Sequence, residues 1–465
     1  MKKTIFLLTL SCYMPIFANG QVHHYTGTDS INAPYLHITT VNGEIPSCES
    51  YTCPPPDCWG ACVATNPNKV KSRLVITQLG DTLYDSGEYE KKTSGLTVKL
   101  RGNNASAEKT LKKSYKLKLE KKANLIPVSD SSDQTNYKDK EWILLNNLGR
   151  NYNQLIGCHV AQLVGMPWVP RCIPVQVELN GDYQGFFYLS EAVSQNNDCR
   201  IALGDGGYIV ELDPYWWIED KYFMGPFYSR KEMRWTYKEP DTDDLTADWG
   251  NVIQYQVSQF EQHISQKDAA SYINFESVAK WLLAQDILGN HDGAGSNVYF
   301  CGKDTINPFP MMLPLLWDFD ENFLVEKDKH SCSHDINIFR SLLQNSEFQL
   351  DYKMLFNAQF NEIINQTIAY IDSLETSQYV DIFDSLAHYE NERWFNGEEN
   401  MKPFNCQMAH VKNYLQERAK RLSINSLFAN GDDTNFYNIL GQRVSPTSRG
   451  VIILNKGKKI LILPH

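Results

Sequence analysis

The stretch Leu288-Gly289-Asn290-His291-Asp292-Gly293-Ala294-Gly295-Ser296-Asn297-Val298-Tyr299-Phe300 closes an amphipathic helix and opens a strand. Between helix and strand stand Asp292 and Asn297, a carboxylate and an amide separated by four residues. Downstream, Leu315-Leu316-Trp317-Asp318-Phe319-Asp320 brings two more carboxylates. Residues 297–301 and 312–319 both read as strands, joined through Gly302, Asn307, Pro308 and Pro310. A hairpin of that kind sets the start of its first strand beside the end of its second. Asn297 and Asp318 are therefore expected together at the open end, with Asp292 just outside. Two oxygen ligands there suit Mg²⁺ (or Mn²⁺), which takes few protein carboxylates and completes its shell with phosphate and water. Taken singly, an Asp in a helix-to-strand loop is commonly a cap or turn residue. The ordered combination is what singles out the site.

Outward from that centre the pattern changes along the chain. Within residues 34–120, Tyr35 to Ile38, Ser72 to Thr77, Leu96 to Leu100 and Tyr115 to Leu119 alternate or run apolar between Gly-containing turns, as strands do. Strict alternation puts Lys116 and Lys118 on one face, Leu117 and Leu119 on the other. Val175 to Leu179 and Gly185 to Leu189 flank Asn180-Gly181, a pair that accepts the positive φ of a type I′ hairpin turn. From about residue 246, Val252 to Ile264, Phe275 to Leu288, Tyr352 to Leu374 and Ala409 to Leu422 carry apolar residues at helical spacing. Strands first and helices later predict an α+β fold of two lobes, β-rich over 21–245 and helical over 246–428. Hydrophobic residues at 42% and charged residues at 21% exclude wholesale disorder and collagen-like structure. A net charge of -11 without a long basic run argues against nucleic acid or an anionic membrane surface as partner.

The two ends stand apart from this body. Met1-Lys2-Lys3, the apolar run Thr4 to Leu10 and the small residues Ala18-Asn19-Gly20 have the layout of a secretory signal over 1–20. The apolar run falls far short of the roughly 20 residues a membrane span needs. Export and release, with no membrane span, are therefore expected. Cys48, Cys53, Cys58 and Cys62 crowd a Pro-rich loop over 46–62. In an exported chain this reads as disulfides, with a tetrathiolate zinc site as the sharper alternative, although no CxxC pair is present. The tail, 429–465, follows the polar linker Asn430 to Thr434 and reads as three short strands in a meander. Its order Tyr437-Asn438, Gly441-Gln442, Val444, then Gly450-Val451, Ile453, Asn455 and Lys458 resembles the C-terminal sorting domain of the Bacteroidota type IX secretion system. That resemblance implies the secretion machinery as a partner and a secreted or cell-surface destination by way of the periplasm.

The spacing of Asp292 and Asn297 is that of the protein-kinase catalytic loop, and Asp318-Phe319 stands where a kinase carries its metal-binding Asp-Phe, with Asp320 in place of Gly. Further elements follow in order: Arg101-Gly102-Asn103, Lys112 to Leu119, Glu141 to Leu145, Asn180 to Glu191 and Gly206 to Glu211. Together they make the chain resemble the CotH kinase family, secreted or spore-coat atypical protein kinases, over roughly residues 34–425. The resemblance implies a kinase-like fold, ATP with a divalent metal, and phosphate transfer to protein Ser or Thr. Carried over by position, it implies Asp292 as the catalytic aspartate, Asp318 as the metal-binding aspartate and Asn297 as a second ligand. It also implies a phosphate-pairing lysine on the strand after Arg101. Lys116 and Lys118 both remain candidates, with Glu191 to orient whichever it is and Arg101 available to contact phosphate. One departure stands out: the family's Leu-Arg-Asn run after the Trp142 strand is absent from Gly149 to Gly157. Two other readings stay open. One is a catalytically silent surface protein binding carbohydrate or protein through aromatics such as Tyr215-Trp216-Trp217. The other is a metal-dependent glycosyltransferase using Asp318-Phe319-Asp320 as a D-x-D, against which the strand-then-helix order counts, since such folds alternate β and α.

Overall fold

A computed structural model of the chain describes residues 25–52, 62–102, 110–127, 137–146, 152–227, 233–293, 297–302 and 310–427, and four short strands between 436 and 461. Residues 1–20, expected to form a secretory signal, lie outside the described residues. The early strands are β1 (Tyr35–Thr40), β2 (Glu49–Thr52), β3 (Cys62–Thr65), β4 (Val70–Gln78), β5 (Asp81–Asp85), β6 (Leu96–Arg101), β7 (Ser114–Ala123), β8 (Asp139–Leu145), β9 (Cys172–Leu179) and β10 (Asp182–Glu191). Helix α1 (Asn153–Leu163) interrupts them between β8 and β9.

Seven of these strands close into a barrel. The order β1-β9-β10-β8-β7-β6-β4 returns to β1, because β4 pairs with β1 as well as β6, while β5 sits outside on β4. Only β1 and β9 run parallel in this ring. Alternation fills the interior: Leu96, Val98 and Leu100 of β6, Leu117 and Leu119 of β7, and Trp142 and Leu144 of β8 share one buried cluster. The same alternation sends Lys99, Arg101 and Lys116 to the outer face. The β9–β10 turn is the expected one, with Asn180 and Gly181 at φ 53° and 79°.

A second sheet, in the order β12-β13-β11-β14, combines β11 (Tyr208–Asp213), β12 (Tyr222–Phe223), β13 (Arg234–Glu239) and β14 (Tyr299–Gly302). Helices follow: α2 (Ala247–His263), α3 (Phe275–Leu288), α4 (Asn337–Leu342), α5 (Ser346–Glu375), α6 (Tyr379–Phe395), α7 (Phe404–Arg421) and α8 (Ile424–Leu427). The mixed architecture, β-rich early and helical late, is as the sequence predicts. The division at 245/246, however, runs through this sheet, since β14 bonds to β11. One apolar core also joins Ile156 of α1, Val210 of β11, Leu282 of α3, Phe360 of α5 and Leu415 of α7. The elements thus group as a closed barrel and a sheet-and-helix body, tied by a buried ion pair between Lys112 beside β7 and Glu390 of α6. Glu390 also accepts the Phe186 N–H of β10 at 2.8 Å.

Three further expectations change. The tail forms four strands rather than three, β15 (Phe436–Asn438), β16 (Arg443–Val444), β17 (Ile452–Asn455) and β18 (Lys458–Leu461), in the order β16-β15-β17-β18. Residues 313–319 are not a strand. Met312 bridges to Cys301 of β14, but Pro314 has no N–H to continue a ladder, and the chain leaves the sheet. Cys53, Cys58 and the side chain of Cys62 lie outside the described residues, and no disulfide joins the described cysteines, Cys158 and Cys172 approaching to 3.9 Å without a bond. Among the described residues, no helix is long and apolar enough to cross a membrane.

Candidate active site

Helix α3 ends at Gly289, whose left-handed φ of 55° returns its N–H to Gln285 O. A Cβ there would also strike the Tyr414 hydroxyl, so two constraints call for glycine. The next residue, Asn290, is buried and fastens two turns together. Its Nδ2 donates to Asp318 O at 3.0 Å, and its Oδ1 accepts the Asp292 N–H at 2.9 Å. The His291 N–H reaches Glu321 O at 3.0 Å and the Phe323 N–H reaches Leu288 O at 2.8 Å. Loop-to-loop bonding, not a hairpin, therefore brings the Asp292 and Asp318 segments together.

Asn297 and Asp318 both adopt left-handed backbone, φ 62° and 64°, a conformation that Asn and Asp tolerate better than other non-glycine residues. Such strain is held where surrounding structure overdetermines it, commonly at functional sites. Asn297 Nδ2 donates to Asp318 Oδ2 at 3.2 Å, and the Asn297 N–H donates to Glu211 Oε1 of β11 at 3.0 Å. Behind this turn the Phe319 ring lies flat on α1 at Gly157, where a Cβ would come within 2.3 Å of the ring. Asn153, at the start of α1, donates to Asp320 O at 3.1 Å.

These residues open on a cleft of about 1110 Å³, lined among others by Arg101, Lys116, Asp292, Asn297, Asp318 and Asp320. Partial burial and the nearby carboxylates of Asp320 and Glu321 push Asp292 up to about 6, with His291 pulling the other way. Burial and Asp292 raise Asp318, against a hydrogen bond from Asp320 and the charge of Arg101. Crowded carboxylates beside a neutral amide form an oxygen-only donor set. That set fits a hard divalent cation such as Mg²⁺ or Mn²⁺, with Asp318 and Asn297 as the residues that would hold it.

The basic residues divide. Lys116 lines the cleft and pairs with Glu141 of β8 at 2.7 Å. Lys118 pairs with the same carboxylate at 3.0 Å but sits half exposed and is not among the cleft-lining residues. Arg101 lines the cleft on the side of Asp318. Glu191 is a correction: it meets neither lysine. It is buried between Arg171, 2.6 Å away, and Arg200, because alternation along β10 puts it on the same side as the barrel-lining Phe187 and Leu189, opposite Trp142.

The sequence reading missed Lys238. On β13 it meets Glu219 at 2.9 Å, Glu211 at 3.1 Å and Asp213 at 3.3 Å inside the cleft wall. Burial works against its charge, but those three carboxylates outweigh it and raise its pKa well above the ordinary lysine range. The signal was present in the alternation of Arg234 to Glu239 and in Glu211 and Asp213, which share one strand face. Tyr215-Trp216-Trp217 is a packed wall of the cleft and not an exposed platform. Tyr51 packs on Trp217 with ring centroids 5.3 Å apart, and the Arg234 guanidinium lies 3.5 Å from the Trp216 ring centre.

With this geometry in view, the comparisons fall into place. The family model for the CotH kinase protein matches residues 98–422, well over half of the sequence. The chain belongs to the CotH kinase family, and is thereby related to atypical kinases, which in general use ATP and a divalent metal. A search of curated proteins gives no match. Among solved structures, one chain of the Shewanella oneidensis MR-1 toxin–antitoxin complex of HipA, HipB and operator DNA is 13% identical. That match covers 63% of this chain and 60% of the other, at a TM-score of 0.26, a likeness that carries no argument about function.

Proposed function

We propose that this protein is an exported atypical kinase that transfers the terminal phosphoryl group of ATP to a Ser or Thr hydroxyl of a protein substrate. The observation that carries the reading is the joint fastening of Asp292 and Asp318 to one buried side chain, Asn290, with Asn297 at 3.2 Å from Asp318. ATP supplies its terminal phosphoryl group and leaves as ADP, and a bound Mg²⁺ (or Mn²⁺) ion would offset the charge of the phosphates. Asp318 and Asn297 would hold the cation. Asp292, raised by its neighbours, accepts the proton of the attacking hydroxyl at its carboxylate oxygen. Arg101 and Lys116 give the barrel side of the cleft its positive charge, and either can face phosphate oxygens. Residues 1–20 act as the export signal and 429–465 as a sorting tail, so that the body between them is the working unit.

The test is phosphate transfer from labelled ATP, with Mg²⁺, by the wild type and by Asp292→Ala and Asp318→Ala. Loss of one positioned acid–base group should lower the rate by about 10²- to 10⁴-fold, with circular dichroism unchanged. Equal transfer by all three proteins would overturn the assignment. Absence of ATP binding by calorimetry would favour a silent binding protein, and binding of a nucleotide sugar instead would favour the D-x-D reading.

A further inference from the structure

Away from the cleft, three elements converge on one carboxylate oxygen. Asp286 on the last turn of α3 is fully buried. Its Oδ2 lies 2.6 Å from His330 Nδ1, 3.0 Å from His334 Nε2 and 2.7 Å from the Tyr352 hydroxyl of α5. The other oxygen, Oδ1, takes the Ser331 N–H at 2.8 Å. Three of the carboxylate's four partners, two imidazole nitrogens and a phenol oxygen, thus crowd the single oxygen Oδ2. The imbalance continues at His334, whose Nδ1 is buried without a hydrogen-bond partner. With the proton on Nδ1, an N–H is left unpaired and Nε2 faces the carboxylate lone pair to lone pair. With the proton on Nε2, the Nδ1 lone pair is left unpaired instead. A cation between Nε2 and the carboxylate removes the lone-pair clash of the Nδ1–H tautomer, and it leaves the Nδ1–H itself without a partner.

We propose that Asp286, His330 and His334 are the ligands of a divalent transition-metal ion, zinc by the chemistry of the set, with the Tyr352 oxygen in the fourth position. One ligand atom from each of the three lies within 4.8 Å of the others. Two imidazoles and a carboxylate suit zinc, whereas Mg²⁺ prefers oxygen alone. The spacing His330-Ser331-Cys332-Ser333-His334 is an H-x₃-H, within the range of zinc-binding histidine pairs. His330 also shows the outer-shell arrangement of a metal-bound imidazole, its Nε2 lying 3.1 Å from Ser423 O. The ion would brace the end of α3, six residues before Asp292, against the 330–335 segment and α5. The proposal does not rest on the kinase reading.

The test uses the full chain, purified without a polyhistidine tag, stripped with chelator and titrated with ZnSO₄ in excess MgCl₂. One equivalent of zinc and a rise in melting temperature are expected, both lost in the His330→Ala/His334→Ala double variant and both kept in Asp318→Asn. Zinc uptake and a melting shift that survive the double variant would overturn the proposal, as would no uptake by wild type. Should the double variant not fold, Co²⁺ added to the stripped wild type decides. A tetrahedral d–d spectrum without a thiolate charge-transfer band supports the site, while a thiolate band or no d–d band overturns it.

Discussion

At the scale of single residues, Asp292 combines the proposed chemical role with a stability penalty. Its carboxyl sits at about 6, raised by burial and by Asp320 and Glu321, against about 3.9 in an unfolded chain. A carboxyl raised on folding favours the protonated form, so its contribution is fully present below about pH 4 and is lost as pH rises through about 6. Asp292→Asn removes that loss. In chelator-containing buffer its melting temperature should exceed that of wild type by more at pH 8 than at pH 5. An equal gain at both, or a larger gain at pH 5, would contradict the crowding described here. The juxtaposition of Asp292, Asn297 and Asp318 was legible in the sequence from their spacing, although loop-to-loop bonds rather than the expected hairpin produce it. Lys238 and the pair His330 and His334 were not singled out, since a lone lysine on a strand and an H-x₃-H in a loop acquire meaning only from what the fold sets opposite them.

At the scale of elements, the cleft depends on how α1 seats the 318–320 turn. Gly157 admits the Phe319 ring, which is 2% exposed and has no free direction in which to move. Gly157→Ala should therefore destabilise the protein by about 1–3 kcal/mol, the usual range for overpacking, although alanine is the better helix former. Urea unfolding measures the loss, and Phe319→Leu in the same chain should recover part of it. A Gly157→Ala protein as stable as wild type would show that the ring does not lock this turn. Several elements were readable from period alone, β6, β7 and the β9–β10 hairpin among them. Helix α6 was missed because its apolar stripe of Ile382, Phe383, Leu386 and Ala387 ends at buried polar Glu390 and Asn391. Helix α5 begins earlier than its apolar spacing suggested, because Asn345 caps it by accepting the Glu347 and Phe348 N–H groups.

For the molecule as a whole, the sequence conveyed composition and order but not closure. Barrel formation rests on β1 meeting both β4 and β9, pairings that join residues far apart along the chain and leave no local pattern. The same holds for β14, whose place beside β11 mixes the two segments that composition had separated. In the proposed kinase, the closed barrel contributes an outer face whose Arg101 and Lys116 line the same cleft as the loops that follow α3. The most direct check on that arrangement is an anomalous difference map from crystals grown with Mn²⁺ and a non-hydrolysable ATP analogue. The expected result is a manganese peak at bonding distance from the Asp318 carboxylate and the Asn297 amide oxygen, with the phosphates toward Arg101. Manganese bound elsewhere, with the analogue outside this cleft, would contradict it.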